Sequence, residues 1–172
     1  MSSFIIIDDF FLDNGVLGGG ELNNEELYQI LKSRGHKVSR INSHLVTLSY
    51  LNINLKSNYI VGNFRNLSMP CRSELQKRAK YEHDHKYLEN RDPSPYEDYV
   101  APKEKIINKE FYENALAVLC QSELHKSVVF KNLKISNIHN VSGNLWSDDI
   151  LDYIESLKDD EKTEKYTIMN SL

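Results

Sequence analysis

The sequence predicts an α/β protein with a doubly wound, mainly parallel Rossmann-like sheet and helices on both of its faces. Apolar residues run continuously at 4–7 and again at 115–120, which is typical of strands buried on both faces of a parallel sheet. Helical patterns alternate with such strands along most of the chain. A glycine triplet, Gly18–Gly20, stands between the first apolar run and the first helical pattern.

The pattern of apolar residues, caps and breakers places each element in turn. Strands are predicted at 4–8, 36–41, 59–61, from 81, 115–120 and 135–141. The first helix has a stripe of Leu22, Leu27, Ile30 and Leu31 and stops at Gly35. Further helices are predicted at 67–80, 106–114, 122–132 with Ser122 as N-cap, and 150–157.

Two segments differ in character from this alternation. Residues 84–103 contain three prolines and are predicted to be a long irregular segment, which Tyr87, Tyr96 and Tyr99 keep ordered. We therefore expect a Rossmann-like domain at 1–146. Residues 147–172 are expected to hold an acidic helix, a charged linker and one further short strand at 166–169.

The bulk composition excludes several classes of protein. A net charge of −4 argues against a nucleic-acid partner, which usually meets a basic face. We expect no transmembrane segment, because no apolar stretch reaches the length that spans a bilayer. The N-terminus lacks the pattern of a signal peptide. Cys71 and Cys120 are isolated and read as reduced thiols, so the expected location is the cytoplasm.

The glycine triplet predicts an anion or phosphate site. It places bare backbone N–H groups and the positive end of a helix at the carboxyl end of a buried strand. One glycine suffices for a turn, so three favour the close approach of a ligand. The alternative is a tight turn with positive φ that binds nothing.

Two kinds of doubly wound protein fit poorly. A nicotinamide-binding domain needs a third glycine where Asn23 stands and a carboxylate after the second strand, where Asn42-Ser43-His44 stand instead. A receiver-like phospho-acceptor domain needs an aspartate after the third strand, and that position holds Gly62-Asn63.

A series of motifs occurs in one order: 18–22 (GGGEL) with a helix after it, 31–38 (LKSRGHKV), 81–85 (YEHDH), 114–122 (NALAVLCQS) and 141–144 (VSGN). Over residues 4–146 this series resembles the N-terminal domain of nucleotide-sugar-dependent glycosyltransferases of the GT-B fold. Those enzymes have a first glycine loop near the donor phosphates, a histidine-containing loop facing the acceptor, and an Asn-Gly pair whose order is reversed here. They also have a second domain, which the resemblance implies must come from elsewhere, for example from a partner chain.

The resemblance implies a set of site residues. Gly18, Gly19, Gly20 and Glu21 would lie at the donor phosphates. Asn63, Ser122 and Asn144 are expected to line the cleft because each follows a predicted strand, and open parallel sheets bind ligands beyond the carboxyl ends of their strands. His83 oriented by Asp84 would be the general base for an acceptor hydroxyl, with His85 as the alternate. The nucleotide sugar would be a co-substrate, the acceptor a glycan or another hydroxyl compound, and no tightly bound cofactor or metal is implied.

Several alternatives remain open at this point. His83-Asp84-His85 also suits a hydrogen-bonded structural loop or, with remote ligands, a metal site. If transfer retains configuration, no base is needed and the histidine only positions the acceptor. Ser122 suits an N-cap, and Glu21 suits the positive end of the first helix. Trp146 suits stacking on a sugar or packing against the sheet. The whole chain also suits a non-catalytic Rossmann-like binding or regulatory module.

Overall fold

The computed structural model describes residues 1–15, 18–82, 84–159 and 161. Strands and helices alternate along the chain. The strands are β1 (Ser3–Asp8), β2 (Lys37–Asn42), β3 (Asn58–Val61), β4 (Ala79–Glu82), β5 (Ala117–Cys120) and β6 (Ile138–Asn140). The helices are α1 (Gly19–Ser33), α2 (Leu48–Ile53), α3 (Met69–Glu74), α4 (Lys109–Glu113), α5 (Glu123–Leu133) and α6 (Asp148–Ser156).

Within the described residues the strands form one parallel sheet in the order β2-β1-β3-β4-β5-β6. Ile5 of β1 pairs with Ser39 of β2 on one side and with Tyr59 of β3 on the other. The chain moves one way from β1 to β2 and the opposite way afterwards, so right-handed crossovers place α1 on one face and the next helices on the other. This confirms the doubly wound Rossmann-like fold.

The main core lies on the face of the sheet opposite α1. Ile5 and Ile7 point into it, whereas Ile6 between them is buried on the α1 face. The cluster includes Leu51 of α2, Phe111 of α4, Leu133 of α5 and both free cysteines, Cys71 of α3 and Cys120 of β5. Both thiols are buried, as predicted for Cys120.

Several predictions about boundaries and burial were wrong. The helix predicted at 67–80 is only Met69–Glu74, and β4 begins two residues before Tyr81. Lys80 belongs to β4: its ammonium binds the carbonyls of Leu75 and Gln76 at 3.0 and 3.1 Å, and burial lowers its pKa to about 7. α2 was not predicted; its N-cap, Thr47, accepts a hydrogen bond from the Tyr50 amide at 3.1 Å.

The predicted burial of one residue in α1 was also wrong. Leu22, expected in its apolar stripe, is 42% exposed, and the neighbouring Asn23 and Asn24 are buried in its place. The Asn24 side chain binds Asp8 at the end of β1, and the Asn23 side chain binds the backbone of Leu145 after β6. Polar pairing, rather than apolar contact, therefore fixes the start of α1 on the sheet.

The irregular segment after β4 is ordered by its aromatic residues, as predicted. Tyr87 is completely buried and Tyr96 packs against the core, although Tyr99 is 43% exposed. An isolated antiparallel bridge between Leu88 and Ile106 closes the segment on itself.

The acidic helix α6 follows β6, with Ser147 as its N-cap. The predicted strand at 166–169 and most of the linker before it lie outside the described residues. Among the residues that the structure describes, no helix has the length and apolar character needed to cross a membrane.

Candidate functional site

The strand order of the sheet reverses between β1 and β3, and open α/β sheets bind ligands at such a point, beyond the carboxyl ends of the strands. Here the crevice is filled by the protein. Asp8 is 3% exposed, and its Oδ2 accepts a hydrogen bond from Asn24 Nδ2 at 2.5 Å. A Cβ at Gly62 would overlap that same Oδ2, so only glycine fits there. Burial raises the pKa of Asp8 to about 7, and Lys86 opposes the shift.

The next residue, Asp9, holds three chain segments together. It is 2% exposed, and it accepts a hydrogen bond from the Ser43 hydroxyl, which follows β2. It also accepts the backbone N–H groups of Arg65 and Asn66, each at 3.2 Å, in the connection from β3 to α3. Both carboxylates of the Asp8-Asp9 pair therefore bind groups of the protein itself and have a structural role.

The glycine triplet forms the start of α1. Gly18 is the N-cap in an extended conformation with φ −138°, and Gly19 and Gly20 are the first helical residues. The alternative of a turn with positive φ is therefore wrong for the triplet; among nearby glycines it is Gly15 that has a positive φ, +74°. The first N–H groups of a helix have no partner within the helix and can bind an anion. The Glu21 carboxylate, predicted at the donor phosphates, lies close to Gly18, because a Cβ built on Gly18 would overlap its Oε2.

A cavity of about 220 Å³ adjoins this helix start. Its walls come from the first two turns of α1, including Gly19 and Glu26, and from the segment after β6, including Asn144 and Trp146. Asn23 joins the two walls, because its Oδ1 accepts the Leu145 N–H at 2.8 Å. Trp146 is 53% exposed and is not buried against the sheet.

The histidine-containing loop begins where β4 ends, at Glu82. His83, the predicted base, lies outside the described residues. The Asp84 carboxylate, predicted to orient it, pairs with Lys86 at 2.7 Å and with Arg91. Asp84 is thus bound by two cations from the irregular segment.

His85 lies beyond β4 on that irregular segment and has a hydroxyl partner rather than a carboxylate. Its Nδ1 is 2.8 Å from the Tyr87 hydroxyl. Burial lowers the pKa of His85 to about 4, so the ring is neutral at neutral pH. Burial raises the pKa of Tyr87 far above its usual range, so the phenol keeps its proton. If that proton is donated to Nδ1, then Nε2 carries the hydrogen and His85 acts as a donor.

A second histidine in the site was not predicted. The His125 ring, in the first turn of α5, has its centroid 4.8 Å from that of His85. Burial lowers the pKa of His125 to about 4 as well, and the charge of a protonated His85 would lower it further. His125 is far from His85 along the chain, and only the general rule that β5 and β4 are neighbours could have suggested the pairing.

A buried acidic network lies beneath the loop and was also missed. Glu82 is 2% exposed, accepts a hydrogen bond from the Tyr112 hydroxyl, and pairs with Lys86 at 3.6 Å. Burial raises the pKa of Glu82, with Lys86 and the Tyr112 hydrogen bond acting against it. The signal was present in the sequence as a carboxylate at the end of a strand, but the predicted strand began two residues too late.

The remaining predicted cleft residues lie at the same edge of the sheet. Ser122 is the N-cap of α5 and accepts the His125 N–H at 3.1 Å, which confirms the capping role suggested for it. Asn144 hydrogen-bonds to Gln121. Asn63 Oδ1 accepts the Phe64 N–H at 3.0 Å. Within the described parts of the chain no cluster of three His, Cys, Asp or Glu residues is arranged to hold a metal ion.

Two regions of this edge are therefore suited to a ligand: the start of α1 with its cavity, and the His85–His125 pair. Comparisons of the chain with protein families, with curated proteins and with solved structures give no match.

Proposed function

We propose that this chain is the acceptor-side domain of a glycosyltransferase that takes its sugar from a nucleotide sugar. The observation that carries the proposal is the start of α1, where Gly18, Gly19 and Gly20 open the helix beside a cavity with an exposed tryptophan. The order of motifs along the chain supports the same reading. A second domain, in the same protein or in a partner, would complete the donor site.

The helix terminus suits the diphosphate of the donor. The first N–H groups and the dipole of α1 favour negative charge, and that charge grows on the leaving group as the glycosidic bond to the donor breaks. Gly19 leaves the approach open: a Cβ built there has no atom within 4 Å, apart from its chain neighbours and its own helix backbone, in the described structure. Trp146, across the cavity, offers a flat apolar surface to a sugar or a base.

The histidine pair suits the positioning of an acceptor hydroxyl. A neutral His85 with its hydrogen on Nε2 donates a hydrogen bond but does not take a proton. This favours a route in which the loop orients the acceptor over one in which His85 is the base. The assignment of His83 as a general base stays a prediction.

A second candidate is a non-catalytic module that binds a nucleotide or a partner. The observations that favour it are the engagement of Asp84 by two cations and the neutral hydroxyl of Tyr87 as the hydrogen-bond partner of His85. Binding of a nucleotide sugar with no turnover, even when a donor domain is supplied, would support this candidate.

Calorimetric titration with UDP-, GDP- and ADP-sugars, with NAD as a control, tests the proposal. We expect one nucleotide sugar to bind and Gly19→Ala to weaken that binding. The new methyl group meets no protein atom, and alanine favours the helix, so weaker binding would report contact with the ligand. Ser33→Ala, at the other end of α1, is the matched control and should bind as the unaltered protein does. Binding of NAD, or no binding at all, would contradict the proposal.

A further inference from the structure

A second cavity, of about 230 Å³, lies between the β3–α3 connection and the irregular segment after β4. Four basic side chains line it: Arg65, Arg72, Lys86 and Arg91. Glu89 is the one carboxylate among its described lining residues. Phe64, Leu88 and Ile107 add apolar surface.

Part of this positive charge is neutralised within the protein. Lys86 pairs with Asp84 and Glu82, and Arg91 pairs with Asp84. The Glu89 carboxylate forms its ion pair with Lys105, at 2.8 Å, and Lys105 is not a lining residue of this cavity.

Arg65 and Arg72 are left without a carboxylate partner in the part of the chain that the structure describes. The Arg72 guanidinium donates to neutral oxygens, Asn108 Oδ1 at 2.9 Å and the Phe64 carbonyl at 3.1 Å. Its Nε is buried with no hydrogen-bond partner among the described atoms. Burial lowers the pKa of Arg72, and the charge of Asp9 acts against that shift. A partly buried cation of this kind is stabilised by an anion.

An adjoining cavity of about 300 Å³ shares Arg72 and Asn108 with the first. Together the two offer room in the range of small-molecule sites, about 300–1,000 Å³. The pair of cavities therefore combines fixed positive charge with space for a body the size of a sugar.

We infer that the cavity binds the oxyanion group, phosphate or carboxylate, of a small acidic sugar, with Arg65 and Arg72 as its cationic partners. The inference rests on the proposed function in one respect: it makes this acidic sugar the acceptor, because the cavity lies beside the histidine loop at the carboxyl edge of the sheet. The binding itself is measurable without any transfer of sugar.

Calorimetry of the full chain at low salt with glucose 6-phosphate, glucuronate and glucose tests the inference. We expect at least one charged sugar to bind and glucose not to bind, and the charged sugar that binds identifies the oxyanion. Arg65→Gln should weaken binding about tenfold or more, because a charge-assisted hydrogen bond is lost. Arg34→Gln is the matched control: it removes the same charge from an exposed arginine at the far end of α1 and should leave the Kd unchanged.

Arg65→Gln keeps the backbone N–H that Asp9 accepts, so the fold should persist, and thermal unfolding checks this. Arg72→Lys, which keeps the charge but loses the forked donors, should also weaken binding. No heat with either charged sugar at millimolar concentration, or equal weakening by Arg65→Gln and Arg34→Gln, would overturn the inference. A charged sugar that binds while every nucleotide sugar fails to bind would keep this cavity and reject glycosyl transfer.

Discussion

The imidazole rings of His85 and His125 lie 4.8 Å apart, centroid to centroid, and tie the irregular segment after β4 to the first turn of α5. Burial lowers the pKa of each ring to about 4. The contact is therefore between two neutral rings at neutral pH. It makes the acceptor side of the proposed site sensitive to acid.

Acid should break this contact. The pKa of both histidines is lower in the folded protein than in the unfolded chain, so the unfolded chain binds more protons between about pH 4 and 6.5. The stability that the neutral pair provides is thus present above about pH 6.5 and is lost as pH falls toward 4. NMR titration of the ring protons should give midpoints for His85 and His125 well below 6.5. Midpoints near 6.5 for both rings would contradict the burial described here.

Asp8 should show the opposite pH dependence. Its pKa is raised to about 7, so the folded protein binds the proton more tightly and loses stability as pH rises from about 4 to 7. Asp8→Asn removes this dependence. The unfolding free energy of the variant relative to the unaltered protein should rise with pH by up to about 1.4 kcal/mol per unit in that window. Urea unfolding at several pH values measures it, and a constant difference would contradict the raised pKa.

Asp9 should be more important for stability than its exposed counterpart in the same loop, Asp13. The Asp9 carboxylate accepts hydrogen bonds from the Ser43 hydroxyl and from two backbone N–H groups. Asp9→Asn replaces one of its acceptor oxygens by an NH₂ donor, so at least one of these bonds is lost. The expected loss is about 2 kcal/mol, as for hydrogen bonds to a buried charge. Asp13→Asn is the control and should cost less, because Asp13 is exposed and forms a surface ion pair with Arg40. Equal losses of unfolding free energy in the two variants would contradict the role of Asp9 in holding these chain segments together.

Gly62 should tolerate no side chain. Gly62→Ala places a methyl group against Asp8 Oδ2 and within 3.1 Å of Asn24 Nδ2, and both side chains are buried. Overpacking of this kind costs about 1–3 kcal/mol. Gly19→Ala is the matched control, since its methyl group meets open space. Urea unfolding should separate the two, and a neutral Gly62→Ala would show that the Asp8–Asn24 pair can move.

The alternation of strands and helices was predictable because buried parallel strands have continuous apolar runs and because caps mark the helices. Ser122 shows this at one residue: a serine before an amphipathic run predicted the N-cap that the structure has. The fourth strand was placed late because Lys80 reads as a surface residue in sequence. Its burial is possible because the ammonium donates to backbone carbonyls, among them those of Leu75 and Gln76 just after α3.

The site was less predictable than the fold, because its contacts join residues that are distant in sequence. The pairing of Asp8 with Asn24 fills the crevice where a ligand was a natural expectation. A clue was present: Asn24 stands three residues before Leu27 and seven before Leu31, in phase with the apolar stripe of α1. A polar residue in that phase predicts a buried hydrogen bond. The His85–His125 contact had no such clue.

The most direct test of the central claim is an NMR titration of the 15N-labelled chain with UDP-, GDP- and ADP-glucose. We predict that one donor shifts the amide signals of Gly19 and Gly20 together with the indole N–H of Trp146, with one saturation curve for all three. Such a result would place the donor between the start of α1 and the segment after β6. Shifts absent from these signals with every donor, or produced equally by NAD, would contradict the account.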